Sequence, residues 1–279
     1  MIRPSALRSH LAKLLDGGGA PSAGIESWLL LEAATGLPPA DVLAGVGDVD
    51  EDEAARALSL ASRRVRGEPL QYLTGVAGFR RLELAVGPGV FIPRPETELV
   101  AEQAMARLPA GGALVDAGTG SGAIALAVAD ERPDATVYAT ELYTEALAWA
   151  TKNRAALDAD VTLVACDLLS GLPEELHGAA DVIVSNPPYI APEERPSLPA
   201  DIAGHEPPEA LFAPQGGRGV IEGLARSAPE WLRPGGWLVI EIGETHGPGV
   251  RSFLEGEGYA DVSITTDLAG KDRIAQGRR

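Results

Sequence analysis

Two periodicities divide the chain. In the first part apolar positions recur at helical spacing. Ile25 to Thr35 is dense in Leu and Ala, and Asp50 to Arg66 has acids in its first turn and arginines in its last. These segments predict a small helical bundle, punctuated as turns by Gly17 to Gly19 and by Pro38-Pro39. From Leu70 the pattern shortens to β-like runs, Leu70 to Leu73 and Leu82 to Val86, broken by Gly75, Gly78, Gly87 and Gly89. Such runs predict a hairpin that connects two domains.

Beyond the hairpin, strand and helix signals alternate. Strands are predicted at Ala113 to Ala117, Thr136 to Thr140, Val161 to Ala165, Asp181 to Ser185 and Trp237 to Ile242. Helices are predicted at Glu96 to Leu108, Gly122 to Glu131, Glu145 to Leu157, Gly219 to Trp231 and His246 to Glu255. The alternation points to the α/β class, with a doubly wound parallel sheet. Ala260 to Thr265 and Asp272 to Gln276 read as two further strands joined by a turn containing Gly. The resulting division is a helical domain over residues 1–74, a hairpin linker over 75–95 and a Rossmann-like domain over 96–279.

Composition narrows the function classes. With 45% hydrophobic residues in 279, the chain is expected to fold rather than remain disordered. The single Cys166 forms no intrachain disulfide and, with four scattered histidines, no zinc site, so no metal is expected. Cys166 is expected to be a small buried residue beside a strand. Met1 to Gly19 is interrupted by Arg3, Arg8, His10 and Lys13, which argues against a signal peptide. No apolar run approaches the roughly 18 residues of a membrane span, so a cytoplasmic protein without membrane association is expected. A net charge of −17 repels a polyanion at long range, although Arg63, Arg64, Arg66, Arg80 and Arg81 offer local positive charge. No stable nucleic-acid binding is expected, and an acidic body favours a basic protein partner.

The candidate chemistry starts at Asp116-Ala117-Gly118-Thr119-Gly120-Ser121-Gly122, which follows the first strand of the sheet and opens a helix. Glycines let backbone pass close to a nucleotide-like ligand, and the helix start offers free N–H groups. Gly118, Gly120 and Ala123 equally satisfy a dinucleotide fingerprint. Glu141 ends the second strand roughly 20 residues further on, where an acid accepts hydrogen bonds from ribose hydroxyls. It serves an NAD or an S-adenosylmethionine reading. Asp167 and Leu168, at the end of the third strand, are placed to take the exocyclic amine of a base and to cover its ring.

The deciding segment is Asn186-Pro187-Pro188-Tyr189, directly after a buried strand. A nitrogen conjugated to a carbonyl or aromatic ring is a weak nucleophile because its lone pair is delocalised. The Asn186 side-chain oxygen and the Pro187 carbonyl can accept both N–H groups and favour the localised lone pair of the transition state. The prolines stiffen the loop, so these acceptors are preorganised, and Tyr189 can stack on the planar group. A dehydrogenase does not need this tetrad.

With these residues the chain resembles the release-factor glutamine methyltransferases known as PrmC or HemK. The resemblance runs through Gly67 to Gly75, Phe91 to Glu98, Gly118 to Ala127, Asn186 to Ile190 and Asp267 to Arg273. It implies a Rossmann-like class I methyltransferase with a helical N-terminal domain that helps hold the factor. The implied reaction is S-adenosylmethionine-dependent methylation of the glutamine in the Gly-Gly-Gln motif of class 1 peptide-chain release factors. By the same resemblance Gly118 to Gly122, Glu141, Leu168 and Asn186 are cofactor contacts, and Asn186 to Tyr189 are the substrate clamp. The family usually has Asp where this chain has Glu141, and often a larger aromatic at Leu168. Arg94 and Glu98 stand in a Pro-Arg-Pro turn before a helix, where they either serve capping and dipole compensation or close over the substrate mouth. His205 to Phe212 matches the family pattern without evident chemistry of its own. Two other functions use the same residues: adenine amino-methylation of a flipped base in DNA or RNA, and non-catalytic binding of a release factor.

Overall fold

The computed structural model describes residues 2–279, which pack as two compact units. The smaller unit comprises the residues up to Val76 together with Pro199–His205. Its helices are α1 (Pro4–Gly17), α2 (Ala23–Thr35), α3 (Pro39–Leu43), α4 (Glu51–Val65) and α5 (Leu70–Thr74). Leu7, Leu11 and Leu15 of α1, Leu30 and Leu31 of α2 and Ala54, Ala57 and Ala61 of α4 form its core. The start of α4 is specified locally by a capping box: Asp50 Oδ1 accepts from Glu53 N at 2.8 Å, and Glu53 Oε2 from Asp50 N at 2.9 Å. The buried Glu26 carboxylate of α2 is neutralised by Arg64 at 2.7 Å.

Leu70 to Leu73, expected as a β-like run, is instead the helical turn α5. A four-residue apolar run carries no period that separates strand from helix. Pro69 presets the backbone at the start, and Gly75 closes the turn in the left-handed conformation at φ 79°. The hairpin begins after it, with β1 (Val76–Phe79) and β2 (Leu82–Ala85). Arg80 takes φ 52° in its turn and donates its N–H to Glu98 Oε1 at 3.0 Å.

The larger unit, residues 77–198 and 206–279, continues with α6 (Pro95–Arg107), β3 (Ala113–Ala117), α7 (Ala123–Glu131), β4 (Thr136–Glu141), α8 (Thr144–Ala156), β5 (Val161–Ala165) and β6 (Ala180–Ser185). After β6 the chain runs through α9 (Ala200–His205), which belongs to the smaller unit, and returns with α10 (Pro208–Leu211), α11 (Gly219–Trp231), β7 (Leu232–Glu241), α12 (Gly247–Gly256), β8 (Ala260–Thr266) and β9 (Asp272–Arg278). The sequence signals had indicated neither α9 nor α10, which are too short to show a period.

The strands form a seven-stranded sheet in the order β5-β4-β3-β6-β7-β9-β8, parallel through β7 and closed by an antiparallel hairpin. Alternation along β6 serves both faces. Val182 and Val184 pack with α6 and α7, while Ile183 packs with α11 and α12. Strand order reverses at β3, with β4 on one side and β6 on the other, and a crevice opens at such a switch point outside the carboxyl ends of the strands.

Candidate active site

The glycine loop stands at this switch point, directly after β3. A Cβ built on Gly118 (φ 72°) or Gly120 (φ 60°) would meet no heavy atom within 4 Å, so the outer side of the loop faces open space. On Gly122 it would lie 2.8 Å from Leu126 Cδ1, so this glycine serves close packing of α7. The loop is braced from behind. Gly118 N and Thr119 N donate to the Thr140 carbonyl at 3.0 and 2.8 Å, and Asn153 Nδ2 donates to the Ser121 carbonyl at 2.9 Å. The buried Glu141 carboxylate accepts from Gly120 N and Tyr143 N, each at 2.9 Å. Each carboxylate oxygen has a second lone pair, so Glu141 keeps acceptor capacity for a ligand's hydroxyls.

Asp116 lies at the end of β3 beneath this loop. Its Oδ2 accepts from Thr119 Oγ1 at 2.5 Å and from Ala125 N at 3.1 Å, whereas its buried Oδ1 has no hydrogen-bond partner among the described residues. Burial pushes its carboxyl up to about 7, against the two hydrogen bonds that favour the anion. Between the ordinary value of 3.8 and about 7 the native state therefore binds more protons than the unfolded chain, and stability falls as pH rises. The melting temperature of the ligand-free protein is expected to decline from about pH 5 to about pH 7, and less steeply in Asp116→Asn. Equal slopes for the two proteins refute this origin.

Across the switch point β6 ends at Ser185, whose Oγ donates to the Ala117 carbonyl at 2.6 Å and couples the two strand ends. Asn186 and Tyr189 are half-buried, and Pro187 is buried. Asn186 Nδ2 donates to Thr97 Oγ1 at 3.0 Å, and Thr97 Oγ1 donates to Glu241 Oε2 at 2.7 Å. Tyr189 Oη donates to Glu241 Oε1 at 3.2 Å. Burial pushes the Glu241 carboxyl up to about 7, opposed by Thr97, Arg273 and Tyr189. Burial beside that carboxylate also holds the Tyr189 phenol above its ordinary range, hence neutral. After the tetrad, Ile190 pairs with Phe212 through Ile190 N to the Leu211 carbonyl at 3.0 Å and Ala213 N to the Ile190 carbonyl at 2.9 Å. Gly217 packs so tightly that a Cβ there would lie 2.1 Å from the Tyr189 carbonyl oxygen.

The structure thus brings Gly118 to Gly122, Glu141 and Asn186 to Tyr189 to one edge of the sheet. Asp167 and Leu168 follow β5 on that same edge, Asp167 exposed and Leu168 half-buried at φ 46°. Cys166 is half-buried instead of buried, because it follows the edge strand β5, whose last residue Ala165 is itself exposed. Arg94 pairs with the buried Glu206, which also accepts from Ile92 N at 3.2 Å. This gives the His205 to Phe212 segment its structural role. Glu98 is engaged by Arg80 in the hairpin turn. Neither side chain belongs to the cluster around the tetrad. Thr97, Glu241 and Arg273 do belong to it. The first and last lie in segments already notable in sequence, while Glu241 carried only the weak signal of an acid inside an apolar run predicted as a strand. Among the described residues no group of three or more His, Cys, Asp or Glu is placed to hold a metal ion.

Residues 6–75 match the family described as PrmC N-terminal domain, and residues 84–201 the family described as Methyltransferase small domain. The release factor glutamine methyltransferase of Neisseria gonorrhoeae is 41% identical over 91% of this chain and 93% of its own. That of Streptomyces coelicolor is 43% identical over 82% of this chain and 83% of its own. Among solved structures, a methyltransferase from Pyrococcus furiosus superposes with a TM-score of 0.54 at 20% identity, over 71% of this chain and 88% of that one. The Thermus thermophilus 16S rRNA N2 G1207 methyltransferase, in complex with AdoMet and guanosine, gives 0.54 at 21% identity, over 73% and 49%. These two show the shared fold.

Proposed function

The chain belongs to the family of release factor glutamine methyltransferases, and from that premise we propose that Asn186 to Tyr189 hold the glutamine amide of a release factor against a methyl donor seated on Gly118 to Gly122. The protein is an S-adenosylmethionine-dependent methyltransferase. The carrying observation is the pairing of an open glycine cradle on β3 with a rigid, acceptor-bearing tetrad on the adjacent β6. The residues present fit the cofactor. Gly118 and Gly120 leave room for it against the backbone, Glu141 retains acceptors for ribose hydroxyls, and Asp167 and Leu168 stand where its base would lie.

Bound S-adenosylmethionine supplies a methyl group already activated on a sulfonium, so the protein's task is to prepare the nitrogen. Asn186 Oδ1 and the Pro187 carbonyl accept the two N–H groups of the substrate amide and orient its lone pair. Tyr189, neutral and tied to Glu241, offers its ring to the planar amide. As the nitrogen gains its methyl group it becomes strongly acidic and loses one proton to solvent, while the same acceptors hydrogen-bond its N–H groups up to that point. No side chain has to act as a strong base.

A protein substrate is supported by the smaller unit, which leaves Ile25, Leu29, Leu43 and Val46 exposed, and by the net charge of −17. Of the five arginines that offered local positive charge, Arg63, Arg64 and Arg80 are paired with Glu68, Glu26 and Glu131, and Arg66 and Arg81 are exposed. Among the described residues no helix is long and apolar enough to cross a membrane, and we place the enzyme in the cytoplasm, where release factors act. We assign class 1 factors and the glutamine of their Gly-Gly-Gln loop as the acceptor.

Labelled cofactor offered to four acceptors tests this reading: intact factor, the factor with its loop Gln changed to Ala, the isolated loop peptide, and duplex DNA. Label is expected on intact factor, little on the peptide, and none on the Ala variant or DNA. The peptide is poor because it must be ordered on binding without the remote contacts that offset that cost. Equal labelling of the Gln and Ala factors, or preference for DNA, refutes the acceptor.

A further inference from the structure

Asn186 can clamp an amide only if its oxygen, not its nitrogen, faces the substrate. Both ends of a carboxamide have nearly the same shape, and an Asn turned the wrong way presents N–H against N–H. The tetrad contains nothing that decides between the two orientations. The decision lies in a chain of hydrogen bonds from two other elements. Thr97 is the third residue of α6 and is buried; Glu241 ends β7 and is buried. Strand pairing sets Ser185 opposite Ile240, which brings Glu241 beside Asn186.

We propose that Thr97 and Glu241 are positioning residues that fix the Asn186 carboxamide with Oδ1 toward the substrate, an inference that rests on the clamp reading given above. An ionised carboxylate only accepts, and a hydroxyl has a single proton to donate. Thr97 commits that proton to Glu241 Oε2 at 2.7 Å, so its oxygen can only accept from Asn186, and at 3.0 Å it faces Nδ2. Oδ1 is thereby turned to the other side. The second carboxylate oxygen takes the Tyr189 hydroxyl at 3.2 Å, so one buried anion sets both polar side chains of the tetrad.

Protonation of Glu241 would undo this order. A protonated carboxyl turned toward Thr97 donates to its oxygen, and the Thr97 proton then points at Asn186 and favours the wrong face of the amide. The groups facing Glu241 are Thr97 and Glu96 from α6, Tyr189 from the tetrad and Arg273 from β9, itself held by Asp267 at 3.1 Å. Burial and Glu96 favour the protonated form, and Arg273, Thr97 and Tyr189 favour the anion. With the carboxyl titrating at about 7, activity is protected above that pH and lost below it.

The test compares wild type, Thr97→Val, Thr97→Ser and Glu241→Gln on intact release factor, at saturating cofactor, from about pH 6 to about pH 9. Thr97→Val keeps the shape and removes the hydroxyl, and it is expected to lower kcat by about tenfold to a hundredfold. Its KM for the factor and its cofactor affinity by calorimetry should stay within about threefold of wild type. Thr97→Ser is expected to restore most of the rate. The fall in wild-type kcat below about pH 7 should flatten in Glu241→Gln, which has no proton to gain there. The proposal is overturned by Thr97→Val turning over at the wild-type rate, by Thr97→Ser failing as badly as Val, or by an acid limb that persists in Glu241→Gln. Should Thr97→Val melt before assay, the Ser rate and the Glu241→Gln profile decide by the same criteria. A wild-type enzyme that leaves the factor unlabelled counts against the substrate reading, whereas a full-speed Thr97→Val counts against this one.

Discussion

Asn186→Ala is expected to lower kcat by about a hundredfold or more, ~2.7 kcal/mol of transition-state stabilisation, while S-adenosylmethionine affinity changes far less. The asymmetry follows from when the contact matters. A planar amide in the ground state has little lone-pair density to orient, and the need for two aligned acceptors grows as the nitrogen becomes tetrahedral. Pro187 retains one of those acceptors in the variant, so the loss is partial. The loop should keep its shape, because Ser185, the Ile190 pairing and the close approach of Gly217 hold it from both sides. Single-turnover methyl transfer, with cofactor binding measured in parallel, checks this. A variant with near-normal turnover removes the clamp from the mechanism.

Gly120→Val is expected to weaken cofactor binding by at least about a hundredfold, ~2.8 kcal/mol, in a protein that still folds. Two costs act together. At φ 60° a β-branched residue is strained, and its side chain would fill the open space next to the loop instead of meeting protein. Relaxing that strain would move Gly120 N off Glu141 Oε2, so the acid expected to meet the ribose would shift as well. Calorimetry with S-adenosylmethionine measures the loss, and thermal unfolding confirms the fold. Unchanged affinity in a folded variant means that the ligand lies elsewhere.

Much of this was legible without coordinates because its causes are local. Ala113 to Ala117 and Val161 to Ala165 lie where their apolar runs predicted, and Gly219 to Trp231 is helical over its predicted length. The glycine loop and the tetrad each declare themselves within a few consecutive residues, since backbone freedom and backbone stiffness are properties of Gly and Pro themselves. Leu70 to Leu73 misled because four apolar residues fit a strand and a helical turn equally well, and Gly75 a step later decided for the turn. The Pro-Arg-Pro segment was noticed for Arg94 and Glu98. Folding spends the first on Glu206 and the second on the hairpin, and leaves Thr97 between them facing the tetrad.

By itself, the sequence determined the α/β class, the order of the longer strands and helices beyond the hairpin, and where the glycine loop and the Asn-Pro-Pro-Tyr tetrad stand along the chain. Tertiary structure decided which way the tetrad's amide faces. Thr97 and Asn186 stand 89 residues apart and Thr97 and Glu241 stand 144 apart, and no pattern along the chain relates them. An acid closing an apolar strand is indistinguishable from a solvated one until its neighbours are placed. At Glu241 they include Thr97, Tyr189 and Arg273, and only packing removes water there and makes the carboxylate the acceptor that orders the site.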